Sequence, residues 1–572
     1  MRHLCLWLVC TLAAGCTVVP ARLGLSYQNR PDEGQSVLRP KYPVPRAPAT
    51  WPSDKPTFIG LAISGGGSRS ANFGMAVLGE LDRIGVLQHV DAVSAVSGGS
   101  IPAAWLATQG TTPDWADRGR EVAGHDYLLH LIGKLASPLD TLSRVFTDRD
   151  RTDTLAEVFD DVLFGGRRPT FADLGAPGPM RPAVYFNATD TTSGGRRFVF
   201  SDQAFFDALA SDLSAYPLAW AMASSGAFPG IFNSVTMRRY RGDPMLRAAD
   251  DHRTDHRYVH LIDGGAAENM GVETLIDLAR QHHVKQVSRD PAAGNASDAC
   301  MIIVVDAHVP NNAVIEGRQS DRRNVASTLL DLNFLDAIDA MFTSNRDSTL
   351  ARLDIRRDLP IGRFDIRLRN AMQMVEYDVR PYARVGHFNI DHYVYKRPTG
   401  ESASDRLLDQ NVSTLEYAEP QRPNLRSFKC RSWHIALEGV QGIVPWRGLG
   451  ADAKPLSPGK KEDQPVFAYR AALDRLTAQV STNYRLSGPP HCSNELVQRS
   501  LYDVAHIAVR QDKASLDKVC GWFAGNGLGT EACRPEVEPL HREDLDLEPI
   551  RVPLNQSRHE QALDRFVQCR LP

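Results

Sequence analysis

The stretch LAISGGGSRSANFGMAVLGELDRIG, residues 61–85, decides how the rest of this sequence is interpreted. An apolar run typical of a buried strand leads into Gly65, Gly66 and Gly67, and a helical pattern follows. Because glycine has no side chain, the backbone N–H groups of such a turn are open to the close approach of another group. Which group approaches them depends on residues further along the chain.

The composition indicates a globular protein. The chain has 572 residues, 42% of them hydrophobic, which is enough for one large domain or for several smaller ones. Its formal net charge is −3, and the two signs are mixed along the chain without a long basic face. We therefore expect no nucleic-acid partner. The sequence carries no signal for an oligomeric state.

The N-terminus resembles the leader of a bacterial lipoprotein. Residues 4–14 are apolar over a length typical of a signal peptide, and LAAGC at residues 12–16 is similar to a lipobox. This predicts a signal peptide over 1–16 and a lipid anchor on Cys16, with a plain secretory signal as the alternative. Thr17 is not the Asp that favours inner-membrane retention, so we expect the outer membrane, with the folded part in the periplasm or at the cell surface. Proline-rich residues 17–56 predict an extended tether.

The cysteines agree with export. Three of the nine lie in the leader, and the others are Cys300, Cys430, Cys492, Cys520, Cys533 and Cys569. An even number in an oxidising compartment indicates disulfides, although the sequence does not choose among the pairings. No two of them form a CxxC pair, so we expect no metal site.

Strand-like runs alternate with helical patterns from residue 57 onward. The strands are expected at 58–64, 92–96, 183–187, 259–262 and 301–305, and helices at 70–84, 272–281, 469–484 and 495–509. This alternation predicts a three-layer α/β/α fold with a mainly parallel central sheet. Charged residues 238–257 are expected to form a solvated loop, with contact to a phospholipid headgroup as the alternative. Residues 318–342 have the spacing of a long amphipathic helix, either packed on the fold or acting as a lid that meets lipid.

Ser97 stands where a nucleophile is expected. It follows the apolar run 92–96 directly and precedes Gly98 and Gly99 at the start of a helical pattern. A tight strand-to-helix turn of this kind projects a serine Oγ, and small neighbours relieve the crowding. Ala95 replaces the first glycine of the GxSxG pattern, and short glycine–serine stretches also occur as ordinary turns.

Asp263 is the candidate base. It ends an apolar run at the rim of the expected sheet and precedes Gly264 and Gly265, although Asp-Gly is also a common turn. With a serine and a carboxylate in place, the N–H groups of the glycines at 65–67 and of Ser68 are suited to the negative oxygen that forms during acyl transfer.

Arg69 is expected to orient this glycine turn or to meet a phosphate. A nucleotide phosphate loop is the alternative reading of residues 65–69, but the Gly-Lys-Ser/Thr ending and the GxGxxG spacing are absent.

Three motifs together resemble the patatin-like phospholipases. GGGSR at 65–69, AVSGG at 95–99 and DGG at 263–265 are similar, in that order, to the oxyanion loop, nucleophile elbow and catalytic Asp motif of this family. Residues 186–195 and 223–232 resemble two further family segments. The resemblance covers 57–290 and implies a patatin-like catalytic domain, which we place at 57–350. We expect residues 351–572 to be a helical, disulfide-containing extension that packs on it.

The resemblance also implies roles for individual residues. Ser97 attacks an ester carbonyl, and Asp263 accepts its proton and later activates water, so no histidine, metal, Ca²⁺ or other cofactor is expected. The flanking glycines at 98, 99 and 264 support the turns. The histidines at 89, 260 and 308 are expected to be structural or exposed, and Asp190 is expected to support a turn.

The function predicted from these observations is a serine acyl hydrolase, similar to a phospholipase A or a lysophospholipase, that cleaves carboxylic esters of phospholipids or related lipids. Two alternatives remain open. One is an envelope-lipid acyltransferase, in which a second alcohol replaces water. The other is a non-catalytic binding or assembly lipoprotein of the same fold, although the intact serine, aspartate and glycine motifs favour catalysis.

Overall fold

The computed structural model of this chain describes residues 28–30, 55–138, 147–174, 181–240, 258–289, 299–309, 333–353, 372–378, 395–396, 427–447, 454–489, 492–529 and 533. The predictions for the leader, Cys16, Cys569 and most of the tether lie outside the described residues. The same holds for most of the charged loop at 238–257 and for the first part of the amphipathic stretch at 318–342.

A mainly parallel sheet forms the centre of the fold. Its strands are β1 (Phe58–Ile63), β2 (Ala92–Val96), β3 (Ala183–Asp190), β4 (Arg196–Val199), β5 (Val235–Arg238), β6 (Tyr258–Asp263), β7 (Cys300–Asp306), β8 (Met372–Asp378), β9 (Tyr395–Lys396) and β10 (Ser427–Ala436). They lie in the order β5-β6-β3-β2-β1-β7-β10-β8-β9, with β4 paired to β3. The five central strands from β3 to β10 are parallel, and the flanking strands are antiparallel. The predicted mainly parallel sheet is confirmed.

Helices cover both faces of the sheet. They are α1 (Gly67–Arg83), α2 (Ser100–Gln109), α3 (Trp115–Gly124), α4 (Tyr127–Ala136), α5 (Arg151–Phe164), α6 (Leu218–Ser225), α7 (Val272–Arg289), α8 (Asn333–Arg352), α9 (Gln464–Thr477), α10 (Asn494–His506) and α11 (Lys513–Gly525). Strand β1 shows the layering: Leu61 and Ile63 join the hydrophobic core that contains α1, whereas Phe58 and Ala62 join the core that contains α7. The three-layer arrangement predicted from the alternation is confirmed.

The central strands are apolar along their whole length because both of their faces are covered. Every residue of β1, β2 and β7 is buried. None of the described helices is both long and apolar enough to span a bilayer.

The region beyond residue 351 contributes to the same sheet. Strand β10 pairs with β7 in parallel, and a disulfide between Cys300 and Cys430 joins the two strands. A second disulfide links Cys520 to Cys533, and Cys492 is also disulfide-bonded. The helical, disulfide-containing extension is therefore present, with α10 packed against α1. The proposed domain boundaries stay predictions.

Two elements differ from the expected pattern. The helix expected over 469–484 begins earlier and ends at Thr477, so Tyr484 lies in an irregular segment. Strand β6 runs antiparallel to β3, with Asp263 paired to Ala188 and Leu261 paired to Asp190. Because only the ends of β6 and β3 overlap, Asp263 still lies at the edge of the sheet at which the parallel strand β2 ends.

Candidate active site

Two tight turns meet at this edge of the sheet. Ser97 follows β2 directly and has a left-handed backbone, with φ of +50°, which only a few non-glycine residues of the described chain adopt. The Ser97 turn packs on the glycine turn that follows β1. A methyl group at Gly98 would lie 2.1 Å from the carbonyl oxygen of Gly67, so only glycine allows the two backbones to approach this closely.

Ser97 is held at both its backbone and its side chain. Its hydroxyl donates to Asp263 Oδ2 at 2.8 Å, and its N–H donates to Ser225 Oγ at 2.9 Å. Ser225 in turn donates to the carbonyl oxygen of Asn187 at 2.6 Å. The two motif residues that lie 166 positions apart are thus in direct contact.

Asp263 is fixed by four hydrogen bonds. Its Oδ2 accepts from Ser97, and its Oδ1 accepts from the N–H of Gly265 at 2.8 Å. Its backbone oxygen accepts from Thr189 Oγ1 at 2.8 Å, and its N–H donates to the carbonyl of Ala227 at 2.9 Å. The carboxylate therefore keeps one orientation, with one oxygen directed at the serine.

The environment of Asp263 raises the pKa of its carboxyl group. The residue is 1% exposed, and burial raises the pKa of its carboxyl to about 6, although the Gly265 N–H and the Ser97 hydroxyl oppose the shift. No Lys, Arg or His of the described chain forms an ion pair with it. A carboxylate with this pKa can both take and return a proton near neutral pH.

The N–H groups of the glycine turn differ in whether they hydrogen-bond within the protein. Gly65 donates to the carbonyl of Asn269, and Ser68 donates to the carbonyl of Asn483, each at 2.9 Å. The N–H groups of Gly66 and Gly67, which have φ of +138° and +54°, donate to no described residue. Two of the four predicted donors are thus already engaged, and two are open at the start of α1.

Arg69 lies beneath the turn. Its guanidinium is buried and donates to the carbonyl of Val480 at 3.3 Å. Its two predicted roles, orientation of the turn and contact with a phosphate, stay predictions. The remaining predicted glycines pack tightly: a methyl group at Gly99 would lie 2.6 Å from the Ser64 carbonyl, and one at Gly264 would lie 2.2 Å from the Asn187 carbonyl.

The histidines are not part of this arrangement. His89 contacts the carbonyl of Gly529, His260 contacts Thr236, and none of the described histidines hydrogen-bonds to the serine or the aspartate. Burial lowers the pKa of His308 to about 3, which leaves it neutral. Asp190 accepts from the N–H of Thr192 at 2.8 Å and supports the turn after β3, as predicted.

Three supporting residues have no role in the sequence-based prediction. Ser225 holds the Ser97 backbone, Thr189 holds the Asp263 backbone, and the amide of Asn187 donates to the Ala95 carbonyl at 2.9 Å. All three lie in the segments 186–195 and 223–232, which resemble the family without indicating which members matter. Each of the three is a polar residue in an otherwise apolar segment, and this pattern could have indicated a buried side chain with a hydrogen-bonding role.

No group of three or more His, Cys, Asp or Glu side chains within the described ranges is arranged to hold a metal ion.

Comparison with known proteins agrees with the motifs. The family model Patatin-like phospholipase matches residues 61–276, which confirms the predicted family resemblance for that region. No curated protein sequence matches the chain.

Several solved structures are similar. Human GIVD cytosolic phospholipase A2 is 11% identical over 83% of this chain and 63% of its own, with a TM-score of 0.42. VipD from Legionella pneumophila is 14% identical over 47% of this chain and 60% of its own, with a TM-score of 0.22. The ExoU–SpcU complex of Pseudomonas aeruginosa is 22% identical over 31% of this chain and 37% of that one, with a TM-score of 0.18. The chain spans less than two thirds of the phospholipase A2 structures that it matches.

Proposed function

We propose, from the premise that residues 61–276 are a patatin-like phospholipase domain, that this chain is a serine acyl hydrolase acting on carboxylic esters of lipids. The observation that carries the proposal is the 2.8 Å hydrogen bond from Ser97 Oγ to Asp263 Oδ2, made by a serine on a strained turn. A hydroxyl that donates directly to a carboxylate has an adjacent base that can activate it as a nucleophile.

The first half of the reaction forms an acyl-enzyme. Ser97 Oγ bonds to the ester carbonyl carbon while its proton passes to Asp263 Oδ2. The electron pair of the carbonyl moves to its oxygen, which lies in the turn and accepts from the N–H groups of Gly66 and Gly67. As the ester C–O bond breaks, Asp263 returns its proton to the departing alcohol.

The second half releases the acid. Water gives a proton to Asp263 and bonds to the acyl carbon, and the same N–H groups stabilise the second tetrahedral intermediate. When the bond from carbon to Ser97 Oγ breaks, Oγ takes the proton back from Asp263. A pKa of about 6 suits both directions of this transfer, because neither form of the carboxyl is strongly favoured near neutral pH.

Apolar side chains beside the dyad favour a lipid substrate. A methyl group at Gly265 would lie 2.9 Å from the Phe342 ring, and this ring packs edge-on against Phe228 with centroids 5.8 Å apart. Both rings are partly exposed, so they can contact an acyl chain next to the ester that is attacked. We propose phospholipids or lysophospholipids as the substrate class.

A covalent probe and a lipid extract test this proposal. We expect a fluorophosphonate to label the wild-type protein at Ser97, and labelling to be absent in Ser97→Ala. Mass spectrometry of a phospholipid extract incubated with the wild type should show free fatty acid and the matching lysolipid. Ser224→Ala is the control, because Ser224 is a buried serine of α6 whose hydroxyl donates to the Trp220 carbonyl of its own helix.

The outcomes separate the alternatives. Absence of labelling in the folded wild-type protein would contradict an enzyme and favour a binding or assembly protein. Labelling followed by acyl transfer to an added alcohol, with little free fatty acid, would instead identify an acyltransferase.

We also propose that the chain is an outer-membrane lipoprotein anchored through Cys16, since residues 12–16 resemble a lipobox. Metabolic labelling with a radioactive fatty acid should mark the wild type in the membrane fraction and not Cys16→Ser. Labelling of both forms would exclude this anchor.

A further inference from the structure

A segment far outside the matched domain lies directly on the glycine turn. Residues 480–486 follow α9, about two hundred positions after the match ends at residue 276. The carbonyl of Asn483 accepts from Ser68 N–H at 2.9 Å, and the carbonyl of Ser481 accepts from the Ser68 hydroxyl at 3.2 Å. A methyl group at Gly67 would lie 1.7 Å from the Thr482 carbonyl oxygen. The segment therefore holds the backbone that carries the open N–H groups.

This segment is itself held in place. The N–H of Leu128, in α4, donates to the Tyr484 carbonyl at 3.0 Å, and Arg485 pairs with Asp126 at 3.2 Å. The Tyr484 ring packs edge-on against Phe159 and Phe232, with centroids 5.6 Å and 6.2 Å away. The ring consequently has one position, which its neighbours determine.

The Tyr484 hydroxyl points into the active site. A methyl group at Gly226 would lie 1.9 Å from the hydroxyl oxygen, and Gly226 follows Ser225, which binds the Ser97 N–H. The residue is 7% exposed, yet its hydroxyl hydrogen-bonds to no described residue in ordinary geometry. A buried hydroxyl that lacks a well-formed hydrogen bond costs stability, and Ser97 is near enough to be its partner.

The hydroxyl stays protonated in this position. Burial raises the pKa of Tyr484 well above its ordinary value, and the charge of Asp263 raises it further, while hydrogen bonding with the Ser97 side chain opposes the shift. A neutral phenol can donate a hydrogen bond but does not act as a base here.

We propose that Tyr484 is a further catalytic residue of the active site and that its hydroxyl donates to Ser97 Oγ during turnover. This inference rests on the proposed acyl hydrolase function. The donor matters most when the acyl-enzyme breaks down: the electron pair of the C–Oγ bond moves to Oγ while the Asp263 proton approaches. A donated hydrogen bond stabilises the negative charge on Oγ at that moment. The active site is then complete only when the C-terminal extension is docked.

Tyr484→Phe in the full chain tests the inference. We expect kcat for a lipid ester to fall about 10- to 100-fold, the range for loss of one hydrogen bond to a charged group, and KM to fall with it, because slower deacylation lowers both constants. Acyl-enzyme detected by intact-protein mass spectrometry should increase at steady state, because deacylation slows more than acylation. The midpoint of thermal unfolding should stay the same or rise, since the variant removes an unpartnered buried hydroxyl.

Tyr502→Phe is the matched control. Tyr502 also has a buried hydroxyl without a hydrogen-bond partner among the described residues, and its ring lies beneath the Arg120 guanidinium, 4.9 Å from its centroid. We expect this variant to keep the wild-type kcat. A Tyr484→Phe variant with kcat within twofold of the wild type and no extra acyl-enzyme would overturn the inference, while fluorophosphonate labelling of Ser97 in the wild type would still support the hydrolase. Absence of that labelling would instead refute the hydrolase itself.

Discussion

Asp263 at the end of β6 and Asp306 at the end of β7 are both buried at the same edge of the sheet, but their surroundings differ in charge. They are 1% and 0% exposed, and both lie near the glycine turn after β1. Asp263 meets only neutral donors, the Ser97 hydroxyl and the Gly265 N–H. Burial therefore dominates and raises its pKa to about 6.

Asp306 is surrounded by cationic and imidazole donors. Arg346 donates through Nε at 2.8 Å and through Nη2 at 2.6 Å, and His434 Nε2 lies 3.0 Å from the same carboxylate. Arg346 also donates to Glu438 at 2.8 Å. Burial alone would raise the pKa of Asp306, but the charge of Arg346 and the hydrogen bond from His434 outweigh it and lower the pKa well below its usual range.

The difference separates a carboxyl group that can exchange a proton from one that stays ionised. Asp306, Arg346 and His434 join β7, α8 and β10. Ala307, the next residue after Asp306, donates its N–H to Ser64 Oγ at 2.9 Å, and this bond links the end of β7 to the start of the glycine turn. Asp263 can take the Ser97 proton because no cation holds it in the charged form.

The largest expected effect follows removal of the exchangeable carboxyl. Asp263→Asn should lower kcat at least about a thousandfold, because Ser97 loses its base, while the protein stays folded. Steady-state kinetics together with circular dichroism check this result. Asp190→Asn, in the turn after β3, is the control and should retain activity. If Asp263→Asn kept more than a tenth of wild-type activity, Asp263 would not be the base that accepts the Ser97 proton.

Removal of the ionised carboxyl should affect stability instead. Asp306→Asn leaves the buried Arg346 charge without its main partner, and we expect a loss of roughly 3 kcal/mol or more in the free energy of unfolding. Urea denaturation at neutral pH measures it. The folded fraction should keep most of its specific activity, and a variant as stable as the wild type would contradict the role given to this cluster.

The two carboxyl groups should also give opposite pH dependence of stability. The raised pKa of Asp263 means that the folded state binds its proton more tightly, so stability from this group is lost as pH rises through about 6, by roughly 3 kcal/mol. The lowered pKa of Asp306 means that its contribution is present at neutral pH and is lost on acidification. Urea denaturation at pH 4.5 and 7.5 should show that Asp263→Asn gains stability relative to the wild type as pH rises. An unchanged difference would contradict the raised pKa.

The smallest effect concerns the support of Ser97. Ser225→Ala removes the acceptor of the Ser97 N–H and the donor to the Asn187 carbonyl, so we expect kcat to fall about tenfold. Steady-state kinetics with Ser224→Ala as the neighbouring control measure this change. Equal activity in both variants would show that the turn needs no such support.

The sequence was sufficient for the elements that local chemistry determines. The glycine turn at residues 65–67, the serine at 97 and the aspartate at 263 each follow an apolar run, and the runs alternate with helical patterns, so the parallel sheet could be predicted. The contact between Ser97 and Asp263 was implied by the resemblance to the patatin-like phospholipases, and the pattern within each segment does not indicate it. The antiparallel direction of β6 could not, because it depends on strand pairing and not on the pattern within the strand.

Contacts between segments that are far apart in the sequence could not be predicted either. Tyr484 sits at the end of a helical pattern and carries no motif, so nothing local indicates that it reaches the dyad. The pairing of Asp306 with Arg346 likewise depends on how α8 docks beside β7. The engagement of the Ser68 N–H by the Asn483 carbonyl, 415 positions later in numbering, follows from the same docking.

The most direct test of the central claim is the rate at which a fluorophosphonate labels Ser97 as a function of pH. If the ionised form of Asp263 accepts the serine proton, the labelling rate should rise about tenfold per pH unit below pH 6 and level off above it. Asp263→Asn should lose both the rate and the inflection. A wild-type rate that is flat from pH 4.5 to 8, or an inflection that persists in Asp263→Asn, would contradict the account.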